Sequence, residues 1–213
     1  LDLLIQAARR AGEIATQFTG PEAKRWDKPD GAGPVTEADL AVNAMLEDML
    51  PKARPDYGWL SEETEDSADR LSKDRVFIID PIDGTANFMH GIPMFAISIA
   101  LEEIGEVTAG LVYAPVPDEM FWAEKGQGAY LNDRRLRVAA RRNMGDTIIG
   151  TGIPHLGRKQ NPAYMAEMTS IAAECAGIRR MGSAALDLAY VAAGRFDGVW
   201  ESGLAPWDIA AGL

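Results

Sequence analysis

Val76, Phe77, Ile78 and Ile79 form an unbroken apolar run that leads straight into Asp80-Pro81-Ile82-Asp83-Gly84-Thr85. Such a run reads as a buried strand, so this chain must deliver two carboxylates, Asp80 and Asp83, to the mouth of its own core. Pro81 and Ile82, lying between them, are expected to turn the chain and bring the like charges close. That is costly unless a cation neutralises them. Gly84 and Thr85 then open a turn whose backbone N–H groups can face an anion, as helix starts do for phosphate. A metal and a phosphate would meet there. The plainer reading is an aspartate-rich turn whose carboxylates cap nearby N–H groups, and the rest of the chain has to decide between the two.

The composition limits which cation could serve. With two histidines, His90 and His155, and one cysteine, Cys175, a histidine-rich zinc site is excluded and oxygen ligands remain, which favours magnesium, manganese or calcium. The single cysteine also excludes an intrachain disulfide. A net charge of −11, with no basic run, opposes the counterion release that drives nucleic-acid binding. No signal peptide and no apolar run near the length of a membrane span stand out, so a cytoplasmic protein without a membrane partner is expected.

Periodicity places the elements. Leu4, Ala7, Ala8, Ala11, Ile14, Ala15 and Phe18 recur at helical spacing. The Gly- and Pro-rich stretch 28–34 reads as a loop, and 36–50 as a second helix, capped by Thr36, stopped by Pro51 and packed beside the first. Residues 57–63 read as a short strand ending at Glu62 and Glu63, followed by a solvated acidic connection. Residues 96–115 and 119–133 alternate about Gly105 and about Gly126 and Gly128, which predicts antiparallel hairpins. From 146 the pattern changes to strand, helix (161–177), strand, helix (183–194) and strand (197–202). We therefore expect a mixed α/β chain with an antiparallel-sheet sub-domain, 1–140, that carries the metal site, followed by an α/β sub-domain, 141–213. The last stretch, 205–213, reads as the start of a helix.

Three further carboxylate sites can return to the same mouth. Glu62 and Glu63 end a strand, Asp39 lies in the first turn of the second helix, and Asp208 in the first turn of the last. Each has a plainer explanation: Asp39 completes a capping box with Thr36, Asp208 favours a helix dipole, and Glu63, Glu65, Asp66 and Asp69 form a solvated face. The DxxDGT spacing also invites comparison with the haloacid-dehalogenase phosphatases. Two residues between the aspartates, where that group has one, would misplace the acid relative to the nucleophile, so a phospho-aspartate mechanism is not expected.

Taken together, DPIDGTANF, the downstream WESGLAPWDIAAG and the upstream WLSEE and PVTEAD resemble the magnesium-dependent, lithium-sensitive inositol monophosphatase family, with matching segments along nearly the whole chain. The resemblance implies a layered αβαβα sandwich, usually a homodimer, that hydrolyses phosphate monoesters with a metal-activated water. It implies Glu62, Asp80, the Ile82 carbonyl, Asp83 and Asp208 as ligands for two or three Mg²⁺ ions, with Mn²⁺ as a substitute and Li⁺ and Ca²⁺ as inhibitors. Thr85 and Asp39 would orient and deprotonate the water, and Gly84 and Thr85 would hold phosphate through their amides. Asp83, Gly182, Ser183, Ala184, Glu201 and Asp208 would meet the alcohol. Lys28 matches a metal-site lysine, a solvated loop lysine being its plainer reading. For Glu201 the plainer reading is an ion pair with Arg195.

Inositol monophosphate or a similar polyol phosphate is the expected substrate. The stretch WDKPDGAGPVTEADL also resembles the bisphosphate nucleotidase and histidinol-phosphate phosphatase branches, so 3′(2′),5′-bisphosphate nucleotides and histidinol phosphate remain alternatives. A protein-binding regulator that keeps the fold is the non-enzymatic one. The family continues with another strand and a helix–strand segment, so the second sub-domain is expected to be incomplete at its C-terminal end.

Overall fold

The computed structural model describes residues 1–29, 33–153 and 162–213. Two helices, α1 (Asp2–Ala15) and α2 (Glu37–Ala53), lie side by side. The buried stripe of α1 is Leu4, Ala7, Ala8, Ala11 and Ala15, the spacing that places them on one face. Thr36 caps α2 as expected, its Oγ1 accepting from Ala38 N at 3.2 Å while Asp39 Oδ2 accepts from Thr36 N at 2.9 Å. The expected stop at Pro51 is corrected: α2 runs on to Ala53, and Arg54 N still donates to Leu50 O at 3.0 Å. A proline in the last turn forfeits its own backbone bond but leaves the later ones intact.

The Gly- and Pro-rich stretch is bracketed by a small antiparallel ribbon, β1 (Arg25–Asp27) with β2 (Pro34–Thr36). No apolar alternation marked this ribbon in the sequence. The loop reading of 30–32 lies outside the described residues, as does Asn161, the first residue of the helix expected at 161–177.

Seven strands form the main sheet in chain order: β3 (Gly58–Ser61), β4 (Arg75–Asp83), β5 (Ala96–Glu103), β6 (Glu106–Ala114), β7 (Glu119–Glu124), β8 (Gly128–Leu131) and β9 (Arg134–Arg135). All neighbours are antiparallel except β3 and β4. Alternation assigns the faces. Phe77, Ile79, Ile97, Ile99 and Leu111 pack on α1 and α2, while Ala96, Val112 and Phe121 pack on α5 (Ala184–Ala192). Beyond α5 lies a parallel sheet ordered β11 (Gly177–Arg179), β10 (Ile148–Thr151), β12 (Gly198–Trp200). On its far face sits α4 (Pro162–Glu174), where Tyr164 stacks on Trp200 with ring centroids 4.7 Å apart. Helix, sheet, helix, sheet, helix is the expected αβαβα order.

One expectation about the metal strand is corrected. Asp80 to Asp83 do not turn the chain after the strand but lie inside β4, where the register breaks: Asp80 pairs with Ser98 and Asp83 with Ala96. Three steps on β4 thus oppose two on β5, a bulge of one extra residue. In a regular strand Asp80 and Asp83 would point to opposite faces. The extra residue restores parity and turns both toward the α5 layer, while Ile82 enters the α1–α2 core.

The chain's last elements, α6 (Pro206–Ile209) and a 3-10 turn (Ala210–Gly212), fold back onto this sheet. Ser98 Oγ donates to Trp207 O at 3.1 Å, and Gly110 on β6 lies so close to the turn that a Cβ there would sit 2.5 Å from Ala211 O. Gly110→Ala should therefore push the 210–212 turn off the sheet and cost about 1–3 kcal/mol. Urea denaturation should show a lower midpoint with an unchanged slope; an unchanged midpoint would mean the turn is not seated there.

Candidate metal centre and alcohol pocket

The bulge of β4 and the first turn of α6 bring Asp80, Asp83 and Asp208 together, with one carboxylate oxygen of each within 4.8 Å of the others. Asp80 is 2% and Asp83 8% exposed. Burial pushes the Asp80 carboxyl well above its usual range, and Glu62, Asp83 and Asp208 add repulsion. Asp83 is pushed up to about 7 by burial, against the pull of hydrogen bonds from Ser183 Oγ at 2.6 Å and Ala185 N at 2.7 Å. Asp208 is raised too, mainly by burial, although Ala205 N donates to it at 2.6 Å. Crowded, desolvated, all-oxygen donors fit a hard divalent cation, which would offset the burial and the repulsion that raise them.

Glu62 follows β3 directly, and its N–H donates to Ile79 O at 3.1 Å, which extends the parallel pairing to the edge of the cluster. Its carboxylate lies outside the three mutually close aspartates but near enough to raise Asp80. Lys28 Nζ lies 2.6 Å from both Glu62 and Glu63. Two plainer readings are corrected here. The Lys28 side chain is only 13% exposed, so it is no solvated loop lysine, and Glu63 is buried against it. Glu65, Asp66 and Asp69 are exposed as expected. Burial works against the Lys28 charge, but Glu62 and Glu63 outweigh it and raise its pKa. Burial lifts Glu63 to about 7, more than Lys28 pulls it down.

Asp39, 1% exposed, serves the capping box and the site at once. Its Oδ2 holds Thr36, while its Oδ1 accepts from Thr85 Oγ1 at 3.1 Å. Burial raises its pKa, opposed by the bonds from Thr36 and Thr85. Thr85 Oγ1 is also 3.1 Å from Ile82 O. Gly84, with φ at 101°, makes the turn from β4 into the short helix α3 (Thr85–Met89), a backbone conformation that favours glycine.

Beside the cluster opens a cavity of about 430 Å³ bordered by Gly182, Ser183, Ala184, Glu201, Asp83 and Asp208. Glu201 does not pair with Arg195, which is bound by Glu119 instead. Two lining or supporting residues were missed in the sequence. Asn87 Nδ2 donates at 2.6 Å to both Met94 O and Met181 O, which fastens the Gly182 turn to α3. Asp187 is buried in the cavity floor. The partner carbonyl of Asn87 at Met181 lies 94 residues away, so no spacing could reveal it, and Asp187 reads as an ordinary polar position of a helix.

The profile of the inositol monophosphatase family matches residues 1–213. The chain belongs to the inositol monophosphatase family. The inositol-1-monophosphatase of Rhizobium meliloti (strain 1021) is 50% identical over 214 residues, spanning 100% of this chain and 80% of that protein. The Nus factor SuhB of Escherichia coli (strain K12) is 41% identical over 213 residues, spanning 100% of this chain and 79% of that one. The crystal structure of the extragenic suppressor protein suhB from Bartonella henselae superposes with a TM-score of 0.91 at 47% identity, covering 99% of this chain and 81% of that one. The layered fold and the acidic cluster are thus those of a metal-dependent family.

Asp83 and Glu63 have folded-state pKa values near 7, above their usual 3.8 and 4.5. The folded chain then binds more protons than the unfolded one through that window, so stability falls as pH rises from about 4 to 7. In chelator the melting midpoint should drop between about pH 4 and pH 7, and Mg²⁺ or Mn²⁺ should raise it most at the higher pH. A midpoint independent of both would contradict the crowding.

Proposed function

We propose that this chain hydrolyses the phosphate monoester of a polyol, inositol monophosphate or a close analogue, with Mg²⁺ as its cation. The observation that carries this reading is the convergence of three groups on one mouth: the Asp80–Asp83–Asp208 cluster, the Asp39–Thr85 pair and the cavity bordered by Glu201. Held there, a hard dication would supply a lowered water pKa and compensation for charge on the phosphoryl and leaving oxygens.

The residues divide the rest of the work. Glu62, Asp80, Asp83, Asp208 and the Ile82 carbonyl would hold the cation. The Thr85 hydroxyl aligns the attacking water and Asp39 accepts its proton through that hydroxyl, helped by the burial that raises the basicity of Asp39. Backbone N–H groups of Gly84 and Thr85 hold the phosphate. The alcohol departs into the cavity, where the Gly182–Ser183–Ala184 turn sets its position and Glu201 accepts its hydroxyl hydrogen bonds. A second phosphate there would face Glu201, which favours a polyol monophosphate over a bisphosphate nucleotide. The family resemblance supports a homodimer, the sequence reading a cytoplasmic setting, and the net charge of −11 argues against direct nucleic-acid contact.

Asp83→Asn, which removes charge at constant volume, should lower turnover by at least about 10²-fold while the chain still melts cooperatively. Near wild-type turnover at saturating Mg²⁺ would remove Asp83 from the ligands. Glu201→Gln should weaken inositol phosphate turnover by about 1.5–3 kcal/mol of transition-state stabilisation, while turnover of adenosine bisphosphate holds or rises. If the wild type already prefers the nucleotide, the substrate assignment falls and the metal assignment stands.

The relative named a Nus factor, at 41% identity, favours a second reading in which the same fold also binds a protein partner. Co-purification of the Asp83→Asn variant with the same partners as the wild type would separate that role from turnover.

A further inference from the structure

Asp187 has no part in the reaction outlined above, yet it sits where the alcohol would be. It lies in the first turns of α5, is 1% exposed, and borders the same cavity as Glu201 and Asp83. Among the described residues its Oδ1 has no hydrogen-bond partner. A buried polar oxygen left without a partner is costly.

The end of β10 and the residue after it lie against this carboxyl and that of Glu201. A Cβ on Gly150 would crowd the Phe196 ring at 2.9 Å and touch Asp187 Cγ at 3.4 Å, an ordinary contact, whereas a Cβ on Gly152 would collide with the Glu201 carboxylate. Gly150 lies in β10 and Gly152 just past its end, about 7 Å further along an extended chain. Asp187 and Glu201 therefore lie side by side along the cavity wall, one over each glycine. Gly152 leaves the room that the Glu201 carboxylate occupies, and Gly150 leaves room for the Phe196 ring beside Asp187.

We propose that Asp187 is a specificity residue of this cavity, which exchanges a hydrogen bond with a hydroxyl of the alcohol beside the one met by Glu201, so that the site selects ring polyols with neighbouring free hydroxyls. This rests on the hydrolytic reading above for the identity of the ligand. Burial, with Glu201 and Asp83 adding repulsion and Arg180 opposing, lifts the Asp187 carboxyl to about 8. At neutral pH it is then an acid that both donates and accepts, which suits a hydroxyl. Asparagine has the same shape and the same two capacities, and alanine has neither.

The test compares two ligands of one ring size, myo-inositol 1-phosphate and cyclohexyl phosphate, which lacks hydroxyls. Affinities are measured calorimetrically in Ca²⁺, with phosphate release in Mg²⁺ followed in parallel. Asp187→Ala should weaken inositol phosphate binding about tenfold, the loss of one hydrogen bond, and leave cyclohexyl phosphate within about twofold. Asp187→Asn should restore most of the difference. Equal weakening of both ligands, no change in either, or no binding of inositol phosphate by the wild type would overturn the proposal. If Asp187→Ala does not fold, the carboxyl carbon resonance of Asp187 in labelled wild type decides: it should move with inositol phosphate and not with cyclohexyl phosphate, and equal movement overturns the assignment. Absence of phosphate release from the wild type would defeat the hydrolytic reading alone, because the binding difference is read without turnover.

Discussion

Three carboxylates with oxygens within 4.8 Å of one another, two of them buried, are the constraint on which the rest of this structure depends. At an effective dielectric constant near 20, each pair of unit charges at that distance costs about 3 kcal/mol. Three such pairs approach the whole net stability of a domain, about 5–15 kcal/mol. The fold can hold them ionised only with a compensating cation, and otherwise must keep protons on them. Their raised pKa values and their fit to a hard cation are two expressions of the same electrostatics.

The cluster joins layers that are separate in the chain. Asp80 and Asp83 come from the main sheet and Asp208 from the turn that folds back onto it, while Asp83 accepts from Ser183 and Ala185 at the head of α5. Ser183 caps α5 through Leu186 N at 3.3 Å with the same hydroxyl that it donates to Asp83. Asn87 adds a second tie between α3 and the Gly182 turn. The acidic cluster, the capping of α5 and the position of the neighbouring cavity are consequently linked through a few shared atoms. Asp39 shows the same economy, since one carboxylate closes the capping box of α2 and holds Thr85. The capping box that the sequence offered for Asp39 is formed, and its second oxygen is free to hold Thr85.

Much of the fold was legible because it rests on local rules. The stripe of α1, the Thr36 cap, the glycine turns of the hairpins and the strand–helix alternation after residue 146 are set by periodicity and by backbone preference. The composition narrowed the metal chemistry, because two histidines and one cysteine leave oxygen donors. The motifs DPIDGTANF and APWDIAAG named the carboxylates that the fold gathers into one cluster. What failed was also local: a proline in a last turn costs less than a proline in mid-helix, and the acidic run after β3 concealed one buried member, Glu63, among solvated ones.

The sequence by itself determined which side chains are available and which elements carry them, since helix and strand periods, caps and turn glycines act over a few residues. Tertiary structure decided which of those side chains meet. The one-residue bulge that turns Asp80 and Asp83 to the same face exists only because β4 pairs with β5. Lys28 reaches Glu62 and Glu63 across 34 and 35 residues, and the environment that makes Asp187 an acid near neutral pH is made by burial and by Glu201, which lies on another element. Desolvation and charge repulsion depend on distance through space, and a linear pattern does not record that distance.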